Sequence, residues 1–477
     1  MSVTVPIALF GWIPLILVLF TILPARRAVF AAYLIAWMFL PMAGFKLPGI
    51  PEYTKVSATN MGVLLGVLLF DSGTILRFRP RLIDLPMALW CASSFVSSMQ
   101  NGLGAYDGMS AMTNKVLTWG IPYFIGRIYL TDLKAVREMA VAMFIGGLVY
   151  MPLCWLEMRI SPQLHRLVYG YHQHAFGMTW RFGGYRPMVF MQHGLMVSMW
   201  MATAALAGLW LWKTQAIKRL WGMPMGTLVA VLLITAVLCR SVNALGLMLA
   251  GIGVLYASRM VRSKVFLVLL IAVAPTYLVL RITGTLERKV LVDAVSVVMA
   301  EDRVQSFEFR LENEDLLVAK AMRQPLYGWG GWNRYRVVDE DGNVKGVTDG
   351  LWVIAIGENG LLGLCSLTAA LLLPSLMFLR KMSVRDWSHP LGSAAAVLAV
   401  VGVLHMIDNL PNAMFNPVYV LAVGGVAGLR KRAVGDELEE WDCEEGGGAA
   451  ASAVEGSMLY DPAMFPGYRG GARVEYQ

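Results

Sequence analysis

The sequence predicts an all-α polytopic membrane protein, with about 12-13 transmembrane helices and one large external loop. Three observations predict it. Apolar residues make up 57% of the chain and charged residues only 15%, against roughly 45–50% and about 25% in soluble domains. With a mean hydropathy of +0.58, the excess cannot all enter one core, so lipid must solvate much of the surface. Apolar runs approaching the ~20 residues that cross a bilayer recur from one end of the 477 residues to the other. Basic residues, finally, cluster in alternate connections between those runs. The composition excludes a cytosolic enzyme, a disulfide-stapled secreted domain and a disordered scaffold. A net charge of +8 suggests nucleic acid in a soluble protein. In a membrane protein the position of each charge matters more than the sum.

Taken in order, the expected spans fall at 5–23, 28–44, 57–71, 82–99, 108–126, 135–156 and 187–212. They continue at 223–239, 243–258, 264–280, 350–379, 391–408 and 412–429. Ser, Thr, Asn and Gly interrupt the runs at 57–71 and 108–126. This divides the chain into helices 1-10 (1-280), a large loop (281-350), helices 11-13 (351-430) and a tail (431-477). The tail is rich in Gly, Ala and acids, shows no helical periodicity, and reads as disordered. No basic segment precedes the first apolar run, so no cleaved signal peptide is expected. Internal repeats are not evident, which disfavours transporter folds built from duplicated halves.

The positive-inside rule orients these spans. Alternate connections carry Arg26/Arg27, Arg77/Arg79/Arg81, Arg127/Lys134/Arg137 and Lys213/Lys218/Arg219. The series continues with Arg259/Arg262/Lys264, Arg380/Lys381/Arg385 and Arg430/Lys431/Arg432. Half of the 40 Lys and Arg lie on this side. The expectation is therefore a multi-pass membrane protein, with the N-terminus and large loop external and the C-terminus cytoplasmic. Four of the five cysteines lie in or beside spans and Cys443 lies in the tail. The loop thus has none to staple it, and no metal-ligand spacing is present. The 30 methionines are scattered through the spans, as gap-filling side chains would be.

Chemistry in such a chain is to be sought where polar groups are placed at a cost. Residues 157–186 combine Arg181 and Arg186 with Tyr169, Tyr171, Trp180 and Tyr185. Rings cover pyranose faces and guanidinium groups fork phosphate oxygens, so the set suits a sugar-phosphate; an interfacial aromatic belt with snorkelling arginines is the bland alternative. His172 and His174 have no third ligand in view, so no metal is expected. Arg240 stands between two spans, either as an anchor or as a ligand-binding charge. The end of the large loop is richest. Gly328, Gly330 and Gly331 permit a tight bend, and Trp329, Trp332 and Tyr335 offer a sugar platform. Asp349 stands at the membrane boundary, as helix cap or as functional carboxylate. Glu358, nine residues on, lies about two and a half turns into the next helix. At that depth it must be paired, protonated or functional.

The order of these features resembles the O-antigen ligase / O-antigen polymerase superfamily of bacterial envelope glycosyltransferases. The likeness rests on PYFIGR (122–127), WRFGGYRP, CRSVNALG, RLENEDLLVAKAMRQPLYGWG, TDGLWVIAIGENGLLGL and DNLPNAMFNP, and covers about residues 120 to 430. The resemblance implies a membrane glycosyltransferase fold of the lipid-phosphate-sugar type, GT-C-like. It implies transfer of a glycan from an undecaprenyl-diphosphate carrier to a hydroxyl acceptor, with no cofactor, nucleotide sugar or metal. The family pattern has His-Asn, then Glu and Gly-x-x-Gly. Glu358, Gly360 and Gly363 match it, but Asp349-Gly350 stand in place of His-Asn, and 281–350 contains no histidine. Ligases keep that histidine and some polymerase-like members carry an acid there, so the sequence leans toward a polysaccharide polymerase of exopolysaccharide or O-antigen (lipopolysaccharide) repeats.

Displacing a diphosphate at an anomeric carbon needs a base for the incoming hydroxyl and positive charge for the leaving group. Asp349 is the expected base, with Arg240 and Arg181 as catalytic cations in an inverting, metal-independent reaction. Arg186 and Arg310, with Trp329, Trp332 and Tyr335, are the expected substrate contacts. Glu358, Gly328, Gly330 and Gly360 are the expected structural or orienting residues. The expected partners are the lipid-linked glycan donor, the hydroxyl of a glycan or lipid acceptor, the membrane and a chain-length regulator, without nucleic acid. A transporter or flippase of lipid-linked oligosaccharides is the alternative, and it calls for charge lining several spans near mid-bilayer. A structural assembly factor is a third reading, supported only by the acidic tail.

Overall fold

The computed structural model describes residues 2–46, 51–297, 301–341 and 343–446. The chain is almost wholly helical. Helices α1 (Thr4–Phe10), α2 (Trp12–Ile22), α3 (Ala25–Phe39), α4 (Lys55–Phe70) and α5 (Ser72–Leu76) come first. Then follow α6 (Leu85–Gln100), α7 (Gly104–Lys115), α8 (Ile121–Tyr129), α9 (Leu133–Ile160) and α10 (Leu164–Tyr169). The middle of the chain forms α11 (Gly194–Lys213), α12 (Met225–Leu238), α13 (Val242–Val261) and α14 (Val265–Ile282). The large loop carries α15 (Arg288–Ser296) and α16 (Glu301–Ala321). The last helices are α17 (Leu351–Lys381), α18 (Ser393–Asp408), α19 (Pro417–Gly428) and α20 (Lys431–Gly446). Strand is confined, among the described residues, to four two-stranded antiparallel hairpins of two residues per strand.

Local chemistry sets many of the helix boundaries. Thr54 and Ser57 form a reciprocal capping box at α4, and the Asp132 carboxylate accepts from Ala135 N at 2.6 Å to start α9. Ser241 and Asn416 cap α13 and α19, where Pro417 occupies the first turn. His193 caps α11, its Nδ1 accepting from Leu195 N at 3.0 Å.

Six helical stretches are long and apolar enough to cross a membrane: Leu82–Gln100, α9, α11, α13, α14 and α17. The α1–α2 pair, bent by 43°, makes a seventh. This is fewer than the thirteen expected, and the reason is length. Helices α4, α12, α18 and α19 are apolar but run 10–17 residues. Residues 104–129 are interrupted by a π-turn at Val116–Gly120, and α3 opens on Arg26 and Arg27. The span expected at 187–212 begins only at Gly194, leaving residues 187–193 as an irregular approach to α11.

Burial sorts the bundle into a centre and a rim. Every residue of α19 and nearly all of α18 and α11 are buried. In α13 and α14 only a third of the apolar window is covered, and their free faces are apolar, as lipid-facing helices require. At one end the centre is locked by ions. Arg127, closing α8, donates to both Asp84 oxygens at 2.6 and 3.0 Å, and Tyr123 donates to the same carboxylate at 3.2 Å. Arg81 and Lys381 donate to the terminal carbonyls of α19, at Gly428 (2.7 Å) and Ala427 (3.2 Å). Cations placed there also oppose the negative end of the helix dipole.

The tail corrects the sequence reading. Residues 431–446 form α20, with Val434 buried and Leu438 and Trp441 packed against the core. Glu437 accepts from Leu133 N at 2.8 Å, and the Arg137 guanidinium lies 5.7 Å from the Trp441 ring centre. The rest of the expected disordered tail, 447–477, lies outside the described residues.

Candidate functional site

At the end of the bundle away from the Arg127–Asp84 pair, the starts of α11, α13 and α17 meet the ends of α12 and α18, and α16 packs against α17. The strands β1 (Trp180–Arg181) and β2 (Gly184–Tyr185) form one wall. Phe182 and Gly183, both at positive φ, make the two-residue turn such hairpins favour. Trp180 and Tyr185 pair edge-to-face across it at 4.9 Å, and Trp180 is exposed.

Arg240 sits at φ 55 between α12 and α13. Its Nη1 donates to the carbonyls of Phe182 and of Arg181 (3.2 Å). Gly184 makes room for it, since a Cβ there would lie 2.4 Å from the guanidinium. Arg186 in turn donates from Nη2 to Arg240 O at 2.8 Å. Through Nη1, Arg240 thus braces the wall that carries Arg181. This restraint comes from tertiary packing, which spacing along the chain does not reveal.

The large loop supplies the opposite wall. Helix α16 is anchored by Arg281 of α14, which pairs with Asp315 at 2.8 Å and Glu314 at 3.5 Å, while Tyr277 donates to Glu314 at 2.7 Å. Burial raises the Glu314 carboxyl above its ordinary range, outweighing the nearby Arg281 charge. Just before Glu314, Asn313 Oδ1 accepts from Val347 N at 3.1 Å, and one turn earlier on α16 Arg310 Nε reaches Asp349 Oδ2 at 3.5 Å. Each of that pair is a little over a third exposed, so the carboxylate faces open space. Asp349 is not the cap of α17. That position belongs to Gly350, whose neighbour Leu351 donates to Asn409 O and Asn412 O at 3.0 and 3.2 Å. Behind this turn Asp408 is buried and accepts from Asn243 at 2.6 Å and Asn412 at 3.3 Å.

His193, which the sequence did not single out, joins the site beside His174. The His174 and His193 rings meet edge-to-face at 4.7 Å. His193 is buried, and its imidazole is pushed down to about 3, by burial first and then by the charges of His174, Arg186, Arg310 and Arg181. Those neighbours come from the hairpin segment and from the loop helix more than 120 residues later. They show that Arg181, Arg186 and Arg310 share one field, with Asp349 in contact with Arg310. No motif marks His193 in the sequence; its only signal is its place just before an apolar run.

The expected aromatic platform separates. Trp332 is 77% exposed. Trp329 is half-buried, its indole N–H donating to Lys320 O at 3.0 Å. Tyr335 is buried, packed against Gly357, and so is corrected from a substrate contact to a core residue.

The glycines have a definite task. Helix α17 breaks at Gly360 (φ 63), and the loop segment 325–330 runs through the break. Trp329 N and Gly330 N donate to Gly357 O (2.8 Å) and Glu358 O (3.0 Å), while Leu361 N and Leu362 N donate to Pro325 O (2.7 Å) and Leu326 O (3.2 Å). A Cβ at Gly328 would stand 2.6 Å from three backbone atoms of 358–360, and one at Gly360 would stand 2.4 Å from Leu326 C and O. Beneath the break, Lys115 Nζ donates to Asn359 Oδ1 at 2.7 Å and lies 3.4 Å from the Trp90 ring centre. Ser94 donates to the same Asn359 oxygen at 2.9 Å. Glu358 interacts electrostatically with Lys115 and Arg336. Among the described residues, no group of three His, Cys, Asp or Glu is placed to hold a metal ion.

No protein-family model matches the chain, and a search of curated proteins gives no match.

Proposed function

We propose that the chain is a membrane glycosyltransferase of the O-antigen ligase / polymerase type. In this reading it polymerises, or ligates, undecaprenyl-diphosphate-linked oligosaccharide units on the periplasmic face of the inner membrane. The observation that carries the reading is the Arg310–Asp349 pair at the rim of a site where Arg181, Arg186 and Arg310 all bear electrostatically on His193. A half-open basic field with one carboxylate at its rim suits a diphosphate leaving group beside a hydroxyl nucleophile.

The acceptor hydroxyl attacks the anomeric carbon, forming the new C–O bond as the C–O bond to the diphosphate breaks. The bonding pair leaves on the diphosphate, and the hydroxyl proton passes to the Asp349 carboxylate. Arg310 pairs with Asp349, and a diphosphate that draws Arg310 toward itself frees the base. The exposed rings of Trp180 and Trp332 offer faces to the sugars. The GT-C-like fold type and the periplasmic placement belong to this proposal.

The transporter reading draws on half-buried Lys115 and its buried partner Asn359, which Ser94 also contacts. One experiment separates the two. Vesicles holding the purified protein receive an undecaprenyl-diphosphate oligosaccharide, and glycan length and sidedness are both read. Longer glycans from wild type, and none from Asp349→Asn at equal insertion, are expected. Movement across the bilayer without new glycosidic bonds refutes the proposal, and wild-type polymer from Asp349→Asn removes that residue from the chemistry.

A further inference from the structure

The ends of three membrane-crossing helices, α13, α14 and α17, come together far from the Asp349 site. There Arg259, Arg262, Val384, Arg385 and Ser388 line an open pocket of about 280 Å³. Arg259 lies in the last turn of α13, Arg262 is its C-cap at φ 54, and Arg385 opens the turn Asp386–Ser388 after α17. All three arginines are exposed, and none has an ion-pair partner among the described residues.

The other charged groups nearby hydrogen-bond to the backbone. Lys264 donates to Leu379 O, and the Asp386 carboxylate accepts from Ser383 N at 2.7 Å. The Ser388 hydroxyl is buried at the pocket and has no hydrogen-bond partner among the described residues. Three guanidinium groups outnumber the one neighbouring carboxylate, Asp386, so the pocket keeps a net positive charge that suits an anion. Its surroundings say which kind. Met260, Val261, Val265 and Leu269 expose apolar side chains beside the pocket, Met260 to 82%, on the two helices with the most uncovered faces.

We propose that this pocket binds the phosphate headgroup of an anionic phospholipid. The guanidinium groups fork the phosphate oxygens, and the acyl chains run along the open faces of α13 and α14. The proposal is independent of the catalytic reading, because no residue is shared with that site.

The test uses the full chain in detergent, with phosphatidylglycerol or cardiolipin titrated in and bound copies counted by native mass spectrometry. Each Lys or Arg near an anionic headgroup contributes on the order of 1 kcal/mol. Arg259→Gln/Arg262→Gln/Arg385→Gln is therefore expected to weaken retention about tenfold or more. Arg77→Gln/Arg79→Gln, on a basic connection outside the pocket, is expected to change it less than twofold. Phosphatidylcholine and inorganic phosphate are expected to bind neither protein tightly. Equal retention by the triple variant overturns the proposal, as does an equal loss in the Arg77/Arg79 control, which marks diffuse attraction. Inorganic phosphate binding as tightly as the lipid overturns it in favour of a free-anion site. All five substitutions are at surface side chains, and a thermal scan of each variant confirms folding.

Discussion

Replacing Gly328 by alanine should release the large loop from α17. Two costs add at this position. Gly328 sits at φ 68, where a residue with a Cβ pays roughly 1–2 kcal/mol. The new methyl would also lie 2.6 Å from Glu358 C, Asn359 N and Gly360 N. These are backbone atoms that cannot swing aside, so the segment must lift. Lifting it breaks the four backbone hydrogen bonds between 325–330 and 357–362, each with a net contribution of about 1 kcal/mol. The relief of the clash is bounded by what those bonds hold, giving a local destabilisation of about 3–4 kcal/mol. At about 1.4 kcal/mol per decade, opening becomes roughly 10²–10³-fold more frequent. Hydrogen–deuterium exchange of peptides covering Trp329–Gly330 and Leu361–Leu362 reads this directly. Gly331→Ala is the control, because nothing lies within 4 Å of a Cβ there and its φ is not positive; it should stay within about 0.5 kcal/mol of wild type. Unchanged protection at Leu361 and Leu362 in Gly328→Ala would refute the reasoning, as would equal exchange in both variants.

Other outcomes follow from the same geometry. Arg127→Met leaves the buried Asp84 carboxylate without its main partner and should cost about 3–5 kcal/mol, whereas Arg127→Met/Asp84→Leu should recover most of it; thermal unfolding of the single and double variants decides this. His193 is held down to about 3 from an ordinary value near 6.5. The unfolded chain therefore takes up a proton that the folded protein refuses, and stability from this group is present above about 6.5 and drains as pH falls toward 3. The drop in melting temperature from pH 7.5 to pH 5 should accordingly be smaller in His193→Gln than in wild type, and an identical drop would sink the assignment. Arg240→Met should unclamp the 180–185 hairpin, losing charged hydrogen bonds of about 1.5–3 kcal/mol each. Tryptic cleavage after Arg181 should then run faster, and unchanged cleavage would argue against the clamp.

The sequence was legible where physics is periodic or compositional. Each apolar run became a helix, because a chain in lipid has few other ways to pair its backbone. How many of them cross was less legible, since short helices such as α18 and α19 sit deep in the bundle among other helices. The helix at 431–446 was hidden by its acids, although Val434, Leu438 and Trp441 recur at spacings of four and three, the stripe of an amphipathic helix. At the site, residue types and chain order pointed to Arg181, Arg186, Arg310 and Asp349. They did not show that Arg240 turns inward to carbonyls, that Tyr335 is buried under α17, or that His174 and His193 complete the field. Those facts depend on which segments meet across more than a hundred residues, and no local spacing encodes that.

The cations that seal the end of α19 bear on how the chain's topology can be mapped. Arg81 and Lys381 grip carbonyls at 427 and 428, so residues early in the chain are completed only by its last apolar helix. Reporter fusions made by serial C-terminal truncation remove that helix first. Every shorter fusion leaves Arg81 without its acceptor, and such a fragment can settle in a membrane differently from the intact protein. Labels inserted into connections of the full-length chain avoid this, because α19 remains in place while each side is probed.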